Sequence, residues 1–349
     1  MTACSGGSDG KDKQPAAATS PLQPQSGPPG AVTAANDGHA EVTAQPERPI
    51  ADYRHVPADR SEATPDVICS AKLDVASDGP QVRRTAKELR IPMHIVNYDV
   101  DHHRDGRFDD LDKRRFARWI DINVPPDSHQ IITLDYEKPY LKELRNYRDL
   151  PPERLKEIVA VYREILDFAK ARRPKARWGF WGLPMRQYAM KEGWKQRIKE
   201  LGELLLKYQD VVFLVINDHR IGDHRGLDLT AIRTYVELSL AAAGDRPVYA
   251  YVRGRYGGRP QKFQWIPDDE FRANIEAALD ARWNDGKQER RLAGIVFWDG
   301  FKDRRTTNPA TPEQLDALYA HQLKIVHDAV RARRGRAGLG GPPRTRATK

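Results

Sequence analysis

Gln130-Ile-Ile-Thr-Leu-Asp-Tyr-Glu-Lys-Pro-Tyr140 joins a short apolar run to two acids. Residues Ile131 to Leu134 are apolar or β-branched, which is typical of a strand buried on both faces. Asp135 and Glu137 follow at i and i+2, so an extended chain points both side chains to the same side. Two carboxylates at the end of a buried strand suit proton transfer in a barrel enzyme. An ordinary strand that runs into a polar loop would give the same pattern.

Apolar, β-rich segments alternate with segments of helical period on both sides of this stretch. The pattern predicts strands at Pro92–Val100, Ile131–Asp135, Arg177–Leu183, Val211–Asn217, Pro247–Val252 and Leu292–Trp298. Helices are predicted at Leu111–Ile122, Pro151–Arg173, Gly193–Tyr208, Leu229–Ala243, Asp268–Trp283 and Pro312–Arg333. Such alternation implies an α/β fold with a parallel sheet, either open or closed into a barrel.

The positions of the polar residues favour a (β/α) barrel of the TIM type. The sequence contains no G-x-G-x-x-G or P-loop motif, one of which usually marks the site of an open doubly wound sheet. Functional-looking side chains instead follow nearly every predicted strand, namely Asp99, Asp135, Glu137, Trp181, Asn217, Asp218, Tyr251, Arg253, Trp298 and Asp299. Side chains from many strand ends meet in one place only when the strands close into a ring. With Val67–Val75 as a further strand, the barrel is distorted and has seven strands.

Two tryptophan-containing strand ends suggest a glycan site. Trp178-Gly-Phe-Trp-Gly-Leu-Pro184 and Val296-Phe-Trp-Asp-Gly300 place Trp181 and Trp298 at strand exits beside glycines. Indole faces stack on the C–H faces of sugars, and neighbouring polar groups bind the hydroxyls. Core packing is the alternative explanation for each tryptophan taken singly.

The order of these motifs resembles the hyaluronidase family of glycoside hydrolases between about residues 90 and 330. The resemblance rests on Leu134-Asp-Tyr-Glu137, Arg177-Trp-Gly-Phe-Trp-Gly-Leu-Pro184, Val248-Tyr-Ala-Tyr-Val252 and Ala293-Gly-Ile-Val-Phe-Trp298. It implies a polysaccharide substrate that contains N-acetylhexosamine. It also implies that Glu137 is the general acid and base and that Asp135 positions the N-acetyl group, whose oxygen attacks the anomeric carbon. This mechanism requires a protonated Glu137, which an ionised Asp135 beside it would favour.

The remaining strand-end residues are the predicted substrate-binding shell. They are Trp181, Asn217, Asp218, Tyr251, Arg253, Trp298, Asp299 and Asp99. Two alternatives stay open. Asp218 or Asp299 could serve as base or nucleophile in a two-carboxylate hydrolase with Glu137 as the acid. The chain could also be a glycan-binding lipoprotein that catalyses nothing.

A loop rich in aspartate follows the first of the six predicted strands. Asp101, His103, Asp105, Gly106, Phe108 and Asp112 fall at positions 1, 3, 5, 6, 8 and 12 of a degenerate calcium-binding loop. A polar loop at the barrel opening explains the same residues, so no metal is predicted. His219 and His224 lack a third zinc ligand, and no cofactor is expected.

The N-terminal residues predict a lipid anchor. Met1-Thr-Ala-Cys4 resembles the end of a bacterial lipoprotein signal, in which small residues precede the lipidated cysteine. Residues 1–65 are rich in Ala, Pro, Gly and Ser, as in a disordered tether, and an unlipidated leader is the alternative. Two cysteines, Cys4 and Cys69, form no disulfide framework. We therefore expect a catalytic barrel at 66–334 that is held outside the cytoplasm, in the periplasm or at the cell surface.

Charge does not favour a nucleic-acid partner. The net charge is +9, and the segment Arg331–Lys349 supplies six arginines and one lysine without an acid. About two excess charges therefore remain for the rest of the chain, and no nucleic-acid motif accompanies them. Residues 335–349 are expected to be a basic disordered tail. The sequence indicates no oligomeric state.

Overall fold

The computed structural model describes residues 64–339, with gaps at 73–78, 99, 102–104, 146–149, 185–193, 217–228, 257–263, 287 and 301–310. The predicted tether and most of the predicted tail lie outside these residues. So do Cys4, Asp99, Asn217 and Asp218 among the predicted functional residues.

Strands and helices alternate along the described chain. The strands are β1 (Val67–Lys72), β2 (Ile95–Asn97), β3 (Ile131–Leu134), β4 (Arg177–Phe180), β5 (Val212–Val215), β6 (Val248–Val252), β7 (Trp283–Asn284), β8 (Glu289–Arg290) and β9 (Gly294–Gly300). The helices are α1 (Pro80–Glu88), α2 (Asp110–Asn123), α3 (Leu141–Arg145), α4 (Pro152–Arg172), α5 (Trp194–Leu204), α6 (Leu229–Ala243), α7 (Asp268–Asp280) and α8 (Pro312–Leu339), with a 3-10 turn at Leu206–Tyr208.

Seven parallel strands of the described chain close into a barrel. Hydrogen-bonded ladders join β1, β9, β6 and β5 in that order, and a second set joins β2, β3 and β4. Parallel bridges connect the two sets, from Trp181 to Phe213 between β4 and β5 and from Cys69 to Met93 between β1 and β2. The predicted (β/α) barrel, including its seventh strand, is confirmed.

The strands separate two apolar clusters, because successive side chains alternate between the faces of a sheet. Trp178 and Phe180 of β4 belong to the outer cluster beneath the helices. The inner cluster fills the barrel and contains Ile68, Ile131, Val211, Phe213, Tyr249, Tyr251 and Val296. Odd-numbered residues of β3 therefore face the interior, and this parity decides where the acids that follow β3 point.

Helix α1 was not predicted, because its N-terminal cap comes from a distant part of the chain. The carboxylate of Asp316 on α8 accepts hydrogen bonds from the backbone N–H groups of Gln81 at 2.7 Å and Val82 at 2.9 Å. Residue Gly79 precedes the helix and provides no side-chain cap. The helix N-terminus is therefore satisfied by tertiary contact.

The segment between α7 and β9 differs from the prediction. Helix α7 ends at Asp280 instead of Trp283, and Trp283 pairs with Arg290 in a short antiparallel hairpin. The Asn284 side chain accepts a hydrogen bond from the Gly286 N–H at 2.8 Å, and Gly286 has a φ of 84°. Asn-Asp-Gly is a strong turn signal, and it ends the helical pattern.

Helix α8 reaches Leu339, six residues beyond the predicted helix end at Arg333. Arginine and alanine are good helix formers, and they carry the helix through Gly335. Within the described ranges, no helix combines the length and the apolar character that crossing a bilayer requires.

Candidate active site

The chain that follows β3 opens toward the barrel mouth, meaning the end of the barrel at the carboxyl ends of its strands. The Asp135 N–H donates to the Asn97 carbonyl at 2.8 Å, which extends the ladder between β2 and β3 by one residue. Tyr136 faces outward, where Tyr162 of α4 donates to its carbonyl at 3.1 Å and packs against its ring at an angle of 56° between the ring planes. Asp135 is half-buried and Glu137 is exposed. Asp135 still pairs as a strand residue, so alternation predicts that its side chain points to the interior side.

The aspartate-rich loop uses its acids to cap backbone N–H groups. Asp101 is buried and accepts from the Gly106 N–H at 2.8 Å and from the Tyr136 hydroxyl at 3.2 Å. Asp109 and Asp112 form a reciprocal capping box at the start of α2. Among the described residues, Asp101 and Asp112 of the calcium-loop pattern therefore both cap backbone N–H groups. No cluster of three or more His, Cys, Asp or Glu side chains suited to a metal occurs in the described part of the chain.

Two indoles form one aromatic wall at the mouth. The ring centroids of Trp181 and Trp298 are 6.5 Å apart with planes at 52°, within the range of about 4.5–7 Å that directly interacting aromatic rings adopt. Their strands β4 and β9 are separated in the ring by β5 and β6, so the contact reaches across the barrel. Both rings are half-buried and leave part of their faces accessible.

A glycine allows β4 to lie close to β5 beneath this wall. A Cβ atom on Gly179 would lie 2.1 Å from the Val211 carbonyl oxygen, so a side chain there would push the two strands apart. In the Trp-Gly-Phe-Trp pattern, Trp178 and Phe180 therefore face the helices, Gly179 allows the close contact with β5, and Trp181 faces the barrel interior.

Arginines hold Trp298 and Asp299 from one side. The Arg253 guanidinium lies 5.0 Å from the Trp298 ring centroid, and its Nε is 3.3 Å from Asp299. Arg255 donates from Nε to both carboxylate oxygens of Asp299 at 2.9 and 3.1 Å. Asp299 is 1% exposed. Both of its oxygens bind arginine inside the protein, so these contacts indicate a structural role for Asp299, whereas the sequence predicted a sugar contact or a nucleophile.

Tyr251 lies on the floor of the mouth instead of on its open wall. Its side chain is 1% exposed, and its hydroxyl donates to Thr133 Oγ1 at 2.8 Å across the barrel. His94 Nε2 is 2.7 Å from Thr133 Oγ1 and 3.0 Å from the Tyr251 oxygen. Burial raises the pKa of Tyr251 well above its usual value, the Thr133 hydrogen bond opposes this, and the Asp135 charge adds to it. Tyr251 is therefore a neutral hydroxyl beneath the acids.

The sequence prediction missed three residues of this site. His94 and Thr133 lie inside the barrel, where TIM barrels mostly carry branched apolar residues. Tyr98 is 37% exposed and directly follows β2, beside Asp135 of the neighbouring strand. Thr133 could have been found from the sequence, because it lies two residues before Asp135 on the same predicted strand and therefore on the same face. A polar residue at an inward position of a buried strand is the signal. The predicted contacts Asp99, Asn217 and Asp218 fall outside the described residues.

No protein-family model matches the sequence, and no curated protein sequence matches it either. Solved structures do match. Bee venom hyaluronidase has a TM-score of 0.49 at 14% identity and covers 76% of this chain and 99% of its own. GH5_18 from Streptomyces cattleya in complex with GlcNAc gives 0.38 at 14% identity, over 80% of this chain and 82% of its own. L-ribulose 3-epimerase gives 0.39 at 15% identity, over 81% and 89%. The structural neighbours thus include glycoside hydrolases and an isomerase. At this level of similarity they carry no argument about activity, and the fold rests on the observed ring of strands.

Proposed function

We propose that this protein is a glycoside hydrolase that cleaves a polysaccharide containing N-acetylhexosamine. The observation that supports this most strongly is the contact between Trp181 and Trp298 across the barrel. Both tryptophans lie at the carboxyl ends of strands, and Asp135 and Glu137 follow the carboxyl end of β3, which opens at the same mouth of the barrel. Carboxylates next to indole faces provide the two functions that a glycosidase needs, which are proton transfer and sugar stacking.

In this proposal Glu137 donates a proton to the glycosidic oxygen while the substrate's own acetamido oxygen attacks the anomeric carbon. The bond to the leaving sugar breaks, and a cyclic intermediate forms on the substrate. Glu137 then takes a proton from the water that opens this intermediate, which returns the acid to its starting state. Asp135 accepts the hydrogen bond of the acetamido N–H and stabilises the positive charge that develops there.

Substrate would stack on the outer surface of the aromatic wall and not between the rings, because the rings touch each other. Arg253 fixes the Trp298 ring from its other side and limits the loss of side-chain entropy on binding. We retain Asp99, Asn217 and Asp218 as proposed contacts, since all three follow strands whose carboxyl ends open at this mouth.

Purified protein should release new reducing ends from polysaccharides that contain N-acetylhexosamine, and not from glucans that lack the acetamido group. Participation of the acetamido group passes through two displacements, so the anomeric configuration of the product should be retained. Inversion would support a two-carboxylate hydrolase instead. Binding without any release of reducing ends would support the glycan-binding alternative.

We also propose that lipid on Cys4 holds the barrel at a bacterial membrane outside the cytoplasm. The proposal rests on the small residues before Cys4 and on the Ala-, Pro- and Gly-rich composition up to residue 65. Mass spectrometry of the protein from its native membrane should find a diacylglyceryl group on Cys4. Recovery of unmodified Cys4 in the soluble fraction would contradict it.

A further inference from the structure

A connected set of buried polar side chains lies directly below the proposed acids. His94 of the segment that enters β2, Thr133 of β3 and Tyr251 of β6 are all less than 4% exposed, and each lies within 3.0 Å of the other two. The Phe213 ring packs against the imidazole in an edge-to-face arrangement, with 5.8 Å between the two ring centroids. Unpaired polar groups inside a barrel are costly, so a complete hydrogen-bonded network is required here.

Thr133 connects this network to the acids. Thr133 and Asp135 are two residues apart in an extended chain, so both point inward and lie about 7 Å apart along the strand. Because they belong to the same short stretch of chain, contacts that fix Thr133 also help to fix the strand end that carries Asp135.

Hydrogen-bond directions within the network follow from counting donors and acceptors. Tyr251 donates to Thr133 Oγ1. The Thr133 hydroxyl then has one hydrogen to donate, and among the described residues its remaining contact is His94 Nε2 at 2.7 Å. A bare Nε2 accepts this hydrogen, and every hydroxyl is then satisfied. A protonated Nε2 would leave the Thr133 hydrogen without an acceptor in the described contacts.

We propose that His94 is a positioning residue: its bare Nε2 accepts from Thr133, and Thr133 accepts from Tyr251, which fixes the Thr133 side chain inside the barrel. The network thereby holds the end of β3, two residues before Asp135, the residue proposed to bind the substrate acetamido group. This role rests on the proposed function, whereas the hydrogen-bond chain itself exists in the protein without substrate.

Thr133→Val tests the chain, because valine matches threonine in shape and removes only the hydroxyl. We expect kcat to fall about tenfold with KM changed less than about twofold, the loss that one transition-state hydrogen bond produces. His94→Leu should cause a similar loss. His94→Gln, whose amide oxygen can accept in place of Nε2, should recover kcat to within about threefold of the wild type.

A double variant shows whether the three side chains act as one hydrogen-bonded network or as independent contacts. His94→Leu combined with Thr133→Val should be no slower than Thr133→Val alone, whereas independent effects would multiply to about a hundredfold loss. Ser70→Ala is the matched control, because it also removes a buried hydroxyl from an inward position but lies outside the network. Its kcat should equal that of the wild type.

A second readout does not depend on turnover. The ¹⁵N chemical shift of His94 Nε2, assigned by its loss in His94→Gln, should be that of an unprotonated nitrogen and should change in Thr133→Val. An Nε2 that carries hydrogen would overturn the inference, as would full kcat in Thr133→Val. If the wild type hydrolyses no glycan, the proposed function fails, and the ¹⁵N shift still decides whether the chain exists.

Discussion

At the level of single residues, the site shows which side chains the sequence could identify and which it could not. The acids after β3 and the two indoles were chosen from strand parity and strand exits, which are local properties of the sequence. The role of Asp299 was not predictable, since its partners Arg253 and Arg255 come from a segment more than 40 residues earlier. The same holds for His94, which meets Tyr251 only after the barrel has closed.

Trp298→Ala should weaken substrate binding more than catalysis. Loss of the stacking face should raise KM at least about tenfold and lower kcat less than about threefold. Trp283→Ala, in the hairpin at the opposite end of the barrel, is the control and should leave both constants unchanged. Steady-state kinetics on a soluble oligosaccharide gives both values. An unchanged KM in Trp298→Ala would show that the Trp298 indole does not bind substrate.

Asp299→Asn should destabilise the fold without abolishing the reaction. The change leaves two buried guanidinium groups without their carboxylate, and the free energy of unfolding should fall by about 3 kcal/mol. Because Asp299 is covered by protein, kcat of the folded variant should stay within about tenfold of the wild type. Urea unfolding gives the free energy of unfolding, and activity measured at urea concentrations below the unfolding transition gives kcat. A loss of kcat beyond a thousandfold would restore the two-carboxylate mechanism.

At the level of elements, the predicted helices and strands mostly coincide with the observed ones, and the exceptions have identifiable causes. Helix α6 was predicted with its observed bounds, because its apolar face repeats with helical period. Helix α1 escaped prediction because its cap is Asp316, about 235 residues away. The hairpin of β7 and β8 was missed because the Asn284-Asp-Gly286 turn was read as part of a helix end.

Asp316→Ala should therefore destabilise the packing of α1 against α8. Two N-terminal backbone N–H groups of α1 lose their acceptor, and the free energy of unfolding should decrease by about 1–2 kcal/mol. Asp328→Ala, at an exposed position of the same helix, should cost less than about 0.5 kcal/mol. Urea unfolding monitored by circular dichroism compares them. Equal values would show that the cap contributes nothing measurable.

At the level of the whole molecule, alternation of elements predicted the barrel, but closure depended on two bridges that sequence does not reveal. Cys69 to Met93 and Trp181 to Phe213 join the two ladders into seven strands. The interior thus contains large aromatic side chains, and the tyrosines buried in or beside it include Tyr136, Tyr249 and Tyr251.

These tyrosines should make the fold unstable at alkaline pH. Burial is the main cause of a raised pKa in all three, so they stay protonated in the folded protein while the unfolded chain ionises above about pH 10. Above about pH 10 the folded state then binds more protons than the unfolded state. The contribution of these tyrosines to the free energy of unfolding is therefore fully present below about pH 10 and is lost as the pH rises. The slope reaches about 1.4 kcal/mol per pH unit for each tyrosine.

Urea unfolding between pH 8.5 and about 11.5 measures this slope. Tyr249→Phe removes one of these ionising groups, and the slope of the variant should be shallower by up to about 1.4 kcal/mol per pH unit. Stability that stays constant across this range would contradict the buried neutral state of the three hydroxyls.

The central claim is that Glu137 transfers the proton at a mouth it shares with the indoles. The direct test compares release of reducing ends by the wild type and by Glu137→Gln, with substrate binding measured on the same samples. Glu203→Gln, at an exposed position on α5, is the control. We predict that Glu137→Gln loses at least about a thousandfold in kcat and binds glycan with unchanged affinity, while Glu203→Gln matches the wild type. A kcat of Glu137→Gln equal to that of the wild type would contradict the proposed role of Glu137.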